Sequence, residues 1–196
     1  SVLPGMVVMT LKGDGIVHPN EKVSHYARWF VSHEAAHFWL GQAVAYSNPS
    51  ESWITEGGAE LLAFRATAAA DPTFDIKARL SEAKAECTPF LANGGVASAY
   101  EREGDFRAYY ACGAIIALAA EKASGGDFAD FVKTLIERYG ADGTVTRAEW
   151  LALLDERSPG MSAAVNKLLD QKQADPKAAL DQFIAAANIG DQFAAK

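Results

Sequence analysis

The chain has 196 residues, 49% of them hydrophobic and 22% charged, with 18 basic and 25 acidic side chains and a net charge of −7. This is ordinary globular composition, long enough to bury a core without help from disulfides or a metal, so a bound metal would serve chemistry. The acidic balance and the lack of a Lys/Arg cluster argue against nucleic acid as a partner. No run of about 18 apolar residues reads as a membrane span.

In chain order, Met6–Leu11 is β-branched and apolar and reads as a strand, broken by Gly13-Asp14-Gly15, with a second short strand at Gly15–Val17. A lone hairpin is marginal, so these strands are expected to belong to a sheet whose remainder lies upstream of Ser1. The chain opens without Met or a readable targeting segment, which leaves its compartment open and anticipates an upstream domain.

From Asn20 onward the pattern is helical. Asn20 is an N-cap candidate for a helix reaching about Gly41, Asn48-Pro49-Ser50 is a loop, and Ser52 is expected to cap a second helix broken at Asp71-Pro72. Further helices are expected near 75–87, 104–122, 127–139, 146–156, 160–172 and 176–187, the segment Thr144–Leu154 fitting a capped helix that packs behind the site, and a tail fraying beyond Gly190. Cys87 and Cys112 read as one disulfide or, preferably, as two reduced core thiols. The fold class is thus mainly α with a small N-terminal β element. It forms a single domain over 1–196, with the β segment at 1–18, site-bearing helices at 19–122 and a helical remainder at 123–196.

The segment Trp29–Leu40 is apolar nearly all round apart from Ser32, His33, Glu34 and His37, so this helix is expected to be deeply buried. Two imidazoles and a carboxylate buried without partners would cost several kcal/mol. His33 and His37 are four apart, about 40° from each other on one face, where both can reach a single zinc ion. Glu34 is offset about the axis and can reach a metal-bound water without competing for the metal, the His-Glu-x-x-His arrangement. Tetrahedral zinc then lacks one protein ligand, and Glu56, eighteen residues after His37, can supply it from an antiparallel neighbouring helix. Gly57 and Gly58, poor helix residues, fit either a close backbone approach or tight helix packing.

His33-Glu-Ala-Ala-His-Phe-Trp-Leu-Gly-Gln42 followed by Trp53-Ile-Thr-Glu-Gly57 resembles the gluzincins of the aminopeptidase N family and the related glycyl aminopeptidases. The resemblance implies a thermolysin-like catalytic domain with one zinc ion per chain. His33, His37 and Glu56 would be its ligands, Glu34 the general base, and a peptide or protein the substrate. Tyr109-Tyr110-Ala-Cys-Gly113 is similar to that family's Tyr-x-Lys-Gly helix, with Cys112 at the Lys position. It implies that Tyr110, or Tyr109 if the register shifts, donates to the oxyanion. Glu60, one turn after Glu56, matches the carboxylate that some gluzincins place behind a zinc-bound histidine. The family's Gly-x-Met-Glu-Asn segment, whose Glu anchors a substrate amine, has no counterpart in residues 4–18.

Each assignment has a plainer rival. Tyr109 and Tyr110 could be ordinary half-buried aromatics and Glu60 a solvated helix residue. His18 and His25, with no motif around them, read as structural or surface residues. At the level of function, the resemblance implies a zinc peptidase, aminopeptidase slightly ahead of endopeptidase. The competing class is a gluzincin-like binding or scaffold domain that keeps the metal without turnover. A helical protein with accidental motifs would bind no zinc stoichiometrically. Zinc hydrolysis of a non-peptide bond such as an epoxide, also found within that fold family, has nothing in the sequence to favour it.

Overall fold

The computed structural model describes residues 2–3, 5–8, 10, 12–46 and 48–194. It is mainly α-helical. None of its helices is long and apolar enough to cross a membrane among the described residues.

The N-terminal β element is smaller than its apolar run suggests. β1 (Val2–Leu3) pairs antiparallel with β2 (Met6–Val7), and Met9 and Leu11 of the expected strand lie outside the described residues. Instead of a second strand, Asp14–Val17 forms a single helical turn, α1, with Asp14 at its dipole-favoured start. α2 (Glu21–Ala36) begins as expected, the Asn20 side chain accepting from the Val23 amide at 2.9 Å.

α2 stops at Ala36, five residues before Gly41. Beyond it the amides of Gln42, Ala43 and Val44 reach back to the carbonyls of His37, Phe38 and Trp39. Gly41, at φ 136°, turns the chain there as only glycine can without strain. The following β3 (Ala45–Tyr46) pairs in parallel with the distant β4 (Thr144–Val145), a contact no local pattern announces.

α3 (Ser52–Ala70) follows a 3-10 turn at Pro49–Glu51, which Asn48 caps. Ser52 is therefore the first helical residue rather than a cap, and its hydroxyl donates to the Pro49 carbonyl at 2.8 Å. α4 (Ile76–Asn93) runs past the expected end and through Pro89, because Cys87 and Leu91 on its inner face are fully buried. α5 (Ala108–Ala123) is buried at almost every position from Ala108 to Glu121 and pairs centrally with α3.

α6 (Phe128–Tyr139), α7 (Arg147–Arg157), α8 (Met161–Asp170) and α9 (Pro176–Ala186) fall close to the expected spans. α7 is capped as anticipated, by a Thr146/Glu149 capping box, and the buried Glu51 carboxylate accepts the Arg147 amide at 3.0 Å, pinning the start of α7 to that of α3. The tail does not fray as far as Ala194. Ile189 is fully buried, Arg65 donates to Gln192 at 2.9 Å, and the Ala194 amide donates to Ser81 at 3.0 Å.

Two features fix α5. Cys87 and Cys112 form a disulfide between α4 and α5, with Cα atoms 4.9 Å apart, in place of the preferred reduced thiols. Gly57 of α3 meets Gly113 of α5 backbone to backbone. A Cβ on Gly57 would lie 2.2 Å from the Gly113 carbonyl carbon, and one on Gly113 would lie 2.9 Å from the Trp53 carbonyl oxygen. The close approach required of Gly57 is therefore real. Gly58 is crowded by a side chain, that of Leu40.

The expected deep burial of α2 is not found. Only His33 and Ala36 are buried along it, whereas Tyr26 is 57% and Val31 43% exposed, and Trp39, just past its end, is 54% exposed. α2 covers α3 with one face and leaves the other open, bordering an apolar groove of about 720 Å³ against α3 and α6, lined by residues such as Ala35, Trp39, Leu62 and Val132.

Candidate metal centre

α2 carries His33, and His37 at its C-cap, on the side that meets α3, and α3 answers with Glu56 and Glu60, also one turn apart. Nε2 of His33 stands 3.4 Å from Glu56 Oε2, and Nε2 of His37 stands 3.5 Å from the same oxygen. These are ion-pair distances without hydrogen-bond geometry, and Glu56 Oε2 is a buried oxygen with no hydrogen-bond donor. One ligand atom from each of His33, His37 and Glu56 falls within 4.8 Å of the others, so the group could hold a metal ion. An orphaned carboxylate oxygen facing two imidazole nitrogens is a donor set of the kind that could hold a cation.

Each imidazole is tied from behind through its other nitrogen. His33 Nδ1 lies 3.1 Å from Glu60 Oε2, and His37 Nδ1 lies 2.8 Å from the Leu40 carbonyl oxygen. With Nδ1 as the donor, Nε2 keeps its lone pair for the cavity. Leu40 is available because α2 has ended. The Val44 amide, which would claim that carbonyl in a continuing helix, bonds Trp39 instead. Glu60 is no solvated residue, being 3% exposed, and a second donor, Trp29 Nε1, reaches the same Oε2 at 3.0 Å.

The charges follow from this packing. Burial opposes the imidazolium of His33, but the carboxylates of Glu56 and Glu60 outweigh it and lift its pKa to about 9. His37 is raised as well, burial again being overcome by Glu56 and the Leu40 carbonyl. Burial would raise Glu56, yet the two imidazoles hold it down at about 2. The cluster thus sets an ionised Glu56 beside a readily protonated His33, so a cation bound there would compete with protons.

A cleft of about 500 Å³ opens over these residues and is also lined by Glu34, Gln42, Tyr46 and Tyr110. It is smaller than the apolar groove behind α2, but it alone of the two carries the ligating cluster among the described residues. The Tyr110 ring, on α5, stacks on His33 with centroids 5.4 Å apart and planes 19° from parallel. Its outer face carries the Arg107 guanidinium at 4.8 Å, itself bonded through two nitrogens to Glu86 at 2.8 and 2.9 Å. Burial and the charge of Glu56 push the phenol well above its ordinary pKa, so it stays a neutral donor.

Tyr109 faces away. Fully buried, it accepts from the Tyr100 amide and donates to the Ala97 carbonyl, both at 3.1 Å. Of the two tyrosines, Tyr110 alone lines the cleft. His25 bonds Thr73 at 3.0 Å and packs on Phe74, and exposed His18 closes α1, so both stand apart from the centre. Sequence reasoning missed Trp29 and the Leu40 carbonyl. The spacing of Trp29, one turn before His33, offered a signal; the backbone carbonyl had none. Comparison of the chain with protein families, curated proteins and solved structures gives no match.

Proposed function

We propose that this chain is a zinc-dependent peptidase of the gluzincin type, with His33, His37 and Glu56 as ligands of one zinc ion, Glu34 as general base and Tyr110 as oxyanion donor. The observation that carries the reading is the pair of Nε2–Oε2 separations. Tetrahedral zinc with nitrogen and oxygen ligands at 2.0–2.2 Å sets neighbouring ligand atoms about 3.4 Å apart. The protein holds them at 3.4 and 3.5 Å, and each imidazole is tied through Nδ1, which supports ligation through Nε2.

When bound, zinc supplies a Lewis acid that acidifies water and polarises a carbonyl. The chain supplies the rest. Glu34, on the cleft wall beside the ligands, takes the proton of the attacking water and returns it to the departing amine. Tyr110 offers its phenolic hydrogen to the oxygen on which negative charge develops. A neutral phenol suits this, because it gives a hydrogen bond without losing its proton.

The resemblance favours an aminopeptidase over an endopeptidase. The carboxylates lining the cleft among the described residues are Glu34 and Glu56, both already assigned, so an anchor for a free amine has no obvious owner. Paired peptides with free and acetylated N-termini decide between the two activities.

The test of the whole reading is zinc per chain by elemental analysis, with peptide-library turnover alongside. The expected result is about one zinc in the parent and none in a His37→Ala, Glu56→Ala variant. Glu34→Gln should keep the zinc and lose turnover by about 10²–10⁴-fold. Zinc without turnover in the parent would instead favour a binding or scaffold domain. No zinc after reconstitution would overturn the reading.

A further inference from the structure

We propose that Trp29 is a positioning residue of the metal centre, acting through Glu60 on His33; the inference rests on His33 being a metal ligand. Trp29 precedes His33 by four residues, so the two side chains emerge one turn apart on the same side of α2. Both converge on a single atom. Glu60 Oε2 accepts from Trp29 Nε1 at 3.0 Å and meets His33 Nδ1 at 3.1 Å.

The carboxylate between them is 3% exposed, so water has little part in holding it. A carboxylate bonded on one side only can rotate about its last torsion, and the imidazole it faces turns with it. A second fixed donor on the same oxygen removes that freedom. Indole suits the task because its N–H only donates and has no acceptor role to exchange. The ring is itself held in a row of aromatics, with centroids 5.4 Å from Tyr26, 6.3 Å from Phe30 and 5.9 Å from His33.

The two histidines also differ in a way that explains the need. His37 is tied to a backbone carbonyl, which the turn after α2 fixes by itself. His33 is tied to a side chain at the end of rotatable bonds, and such a partner orients a ligand only when it is oriented in turn.

The test is zinc affinity of the full chain, stripped with a chelator and titrated against a chromophoric competitor at fixed pH. Trp29→Phe keeps an aromatic ring at the position and removes the N–H together with the five-membered part of the indole. It should bind zinc about tenfold more weakly, the lower end of what loss of a ligand's hydrogen-bond partner costs. Glu60→Ala should weaken binding at least as much. Adding Trp29→Phe to Glu60→Ala should cost nothing further, because Trp29 acts through Glu60. A purely packing role would make the two losses add; that result, or a Trp29→Phe variant at parental affinity, overturns the proposal. Should Glu60→Ala fail to fold, Glu60→Gln takes its place in the same double-variant comparison. A parent that binds no zinc overturns the metal reading itself, an outcome distinct from a zinc-binding parent that Trp29→Phe leaves unchanged.

Discussion

His37 is bonded to the carbonyl of Leu40, three residues further along the chain, at 2.8 Å. The contact exists because α2 ends at Ala36 and Gly41, at φ 136°, redirects the backbone. A Cβ on Gly41 would sit in a conformation that L-residues avoid and 3.3 Å from the His37 carbonyl oxygen. Gly41→Ala should therefore cost about 1–3 kcal/mol of stability. It should also weaken zinc binding by loosening the Leu40 carbonyl. Thermal melts and competitive zinc titration read the two effects separately.

The contact of Gly57 with Gly113 sets the spacing of α3 and α5. Glu56 is the neighbour of one glycine, and Tyr110 lies one turn before the other. Gly57→Ala pushes a methyl group into backbone rather than into a yielding side chain. The expected loss is about 3 kcal/mol or more, at the upper end of overpacking. Urea denaturation measures it. Parental stability in that variant would show that the helices separate freely.

Zinc affinity should rise with pH. His33, with a pKa of about 9, carries a proton near neutrality that a bound metal would displace, and His37 is shifted in the same direction. The gain should run up to about tenfold per pH unit for each proton displaced and level off above about pH 9. In the metal-free chain the sign is opposite for stability. The raised His33 contributes fully below its unfolded value near 6.5, and the contribution is lost as pH rises through about 9. Glu56, depressed to about 2, contributes above its ordinary range and loses that as pH falls towards 2. The melting shift caused by zinc should accordingly widen from pH 6 to pH 9; a constant shift would contradict the protonated cluster.

Tyr110→Phe should lower kcat by about 10²–10³-fold, the cost of one oxyanion donor, while zinc affinity stays near that of the parent. The ring that stacks on His33 and under Arg107 is retained in that variant. Tyr109→Phe should instead lose stability, since its hydroxyl bridges the Tyr100 amide and the Ala97 carbonyl.

Reduction of the Cys87–Cys112 bond, which closes a loop with a sequence separation of 25, should lower stability by about 3–4 kcal/mol. The intact mass before reduction should be lower by two hydrogens than after it. Equal masses would mean free thiols.

Much of the candidate site was legible because a shared metal ion would impose a spacing on its ligands. His33, His37 and Glu56 sit on helices that periodicity and the loop at Asn48–Ser50 already place, and the structure brings their ligand atoms together. The Asn20 cap and the capped start of α7 were readable because such caps are local. What local pattern could not supply was tertiary. The β3–β4 pairing joins residues about a hundred positions apart, and the Cys87–Cys112 bond depends on how α4 lies on α5. The apolar run of α2 promised burial, but hydrophobicity marks a preference and not a partner; Val31 and Trp39 are exposed. Ser52 was misplaced by one position because the 3-10 turn before it satisfies the amides that a capping side chain would otherwise take.

The bond from Trp29 to Glu60 also makes the protein its own optical probe. An indole whose N–H rests on a carboxylate emits according to the charge that carboxylate shares with its other partner, and here the partner is His33. Filling or emptying the centre should change tryptophan emission without any added dye, so that loading can be followed in real time by rapid mixing. Trp39, Trp53 and Trp150 contribute a background that stays in Trp29→Phe, and the difference between the two proteins isolates the one ring that looks at the centre from behind.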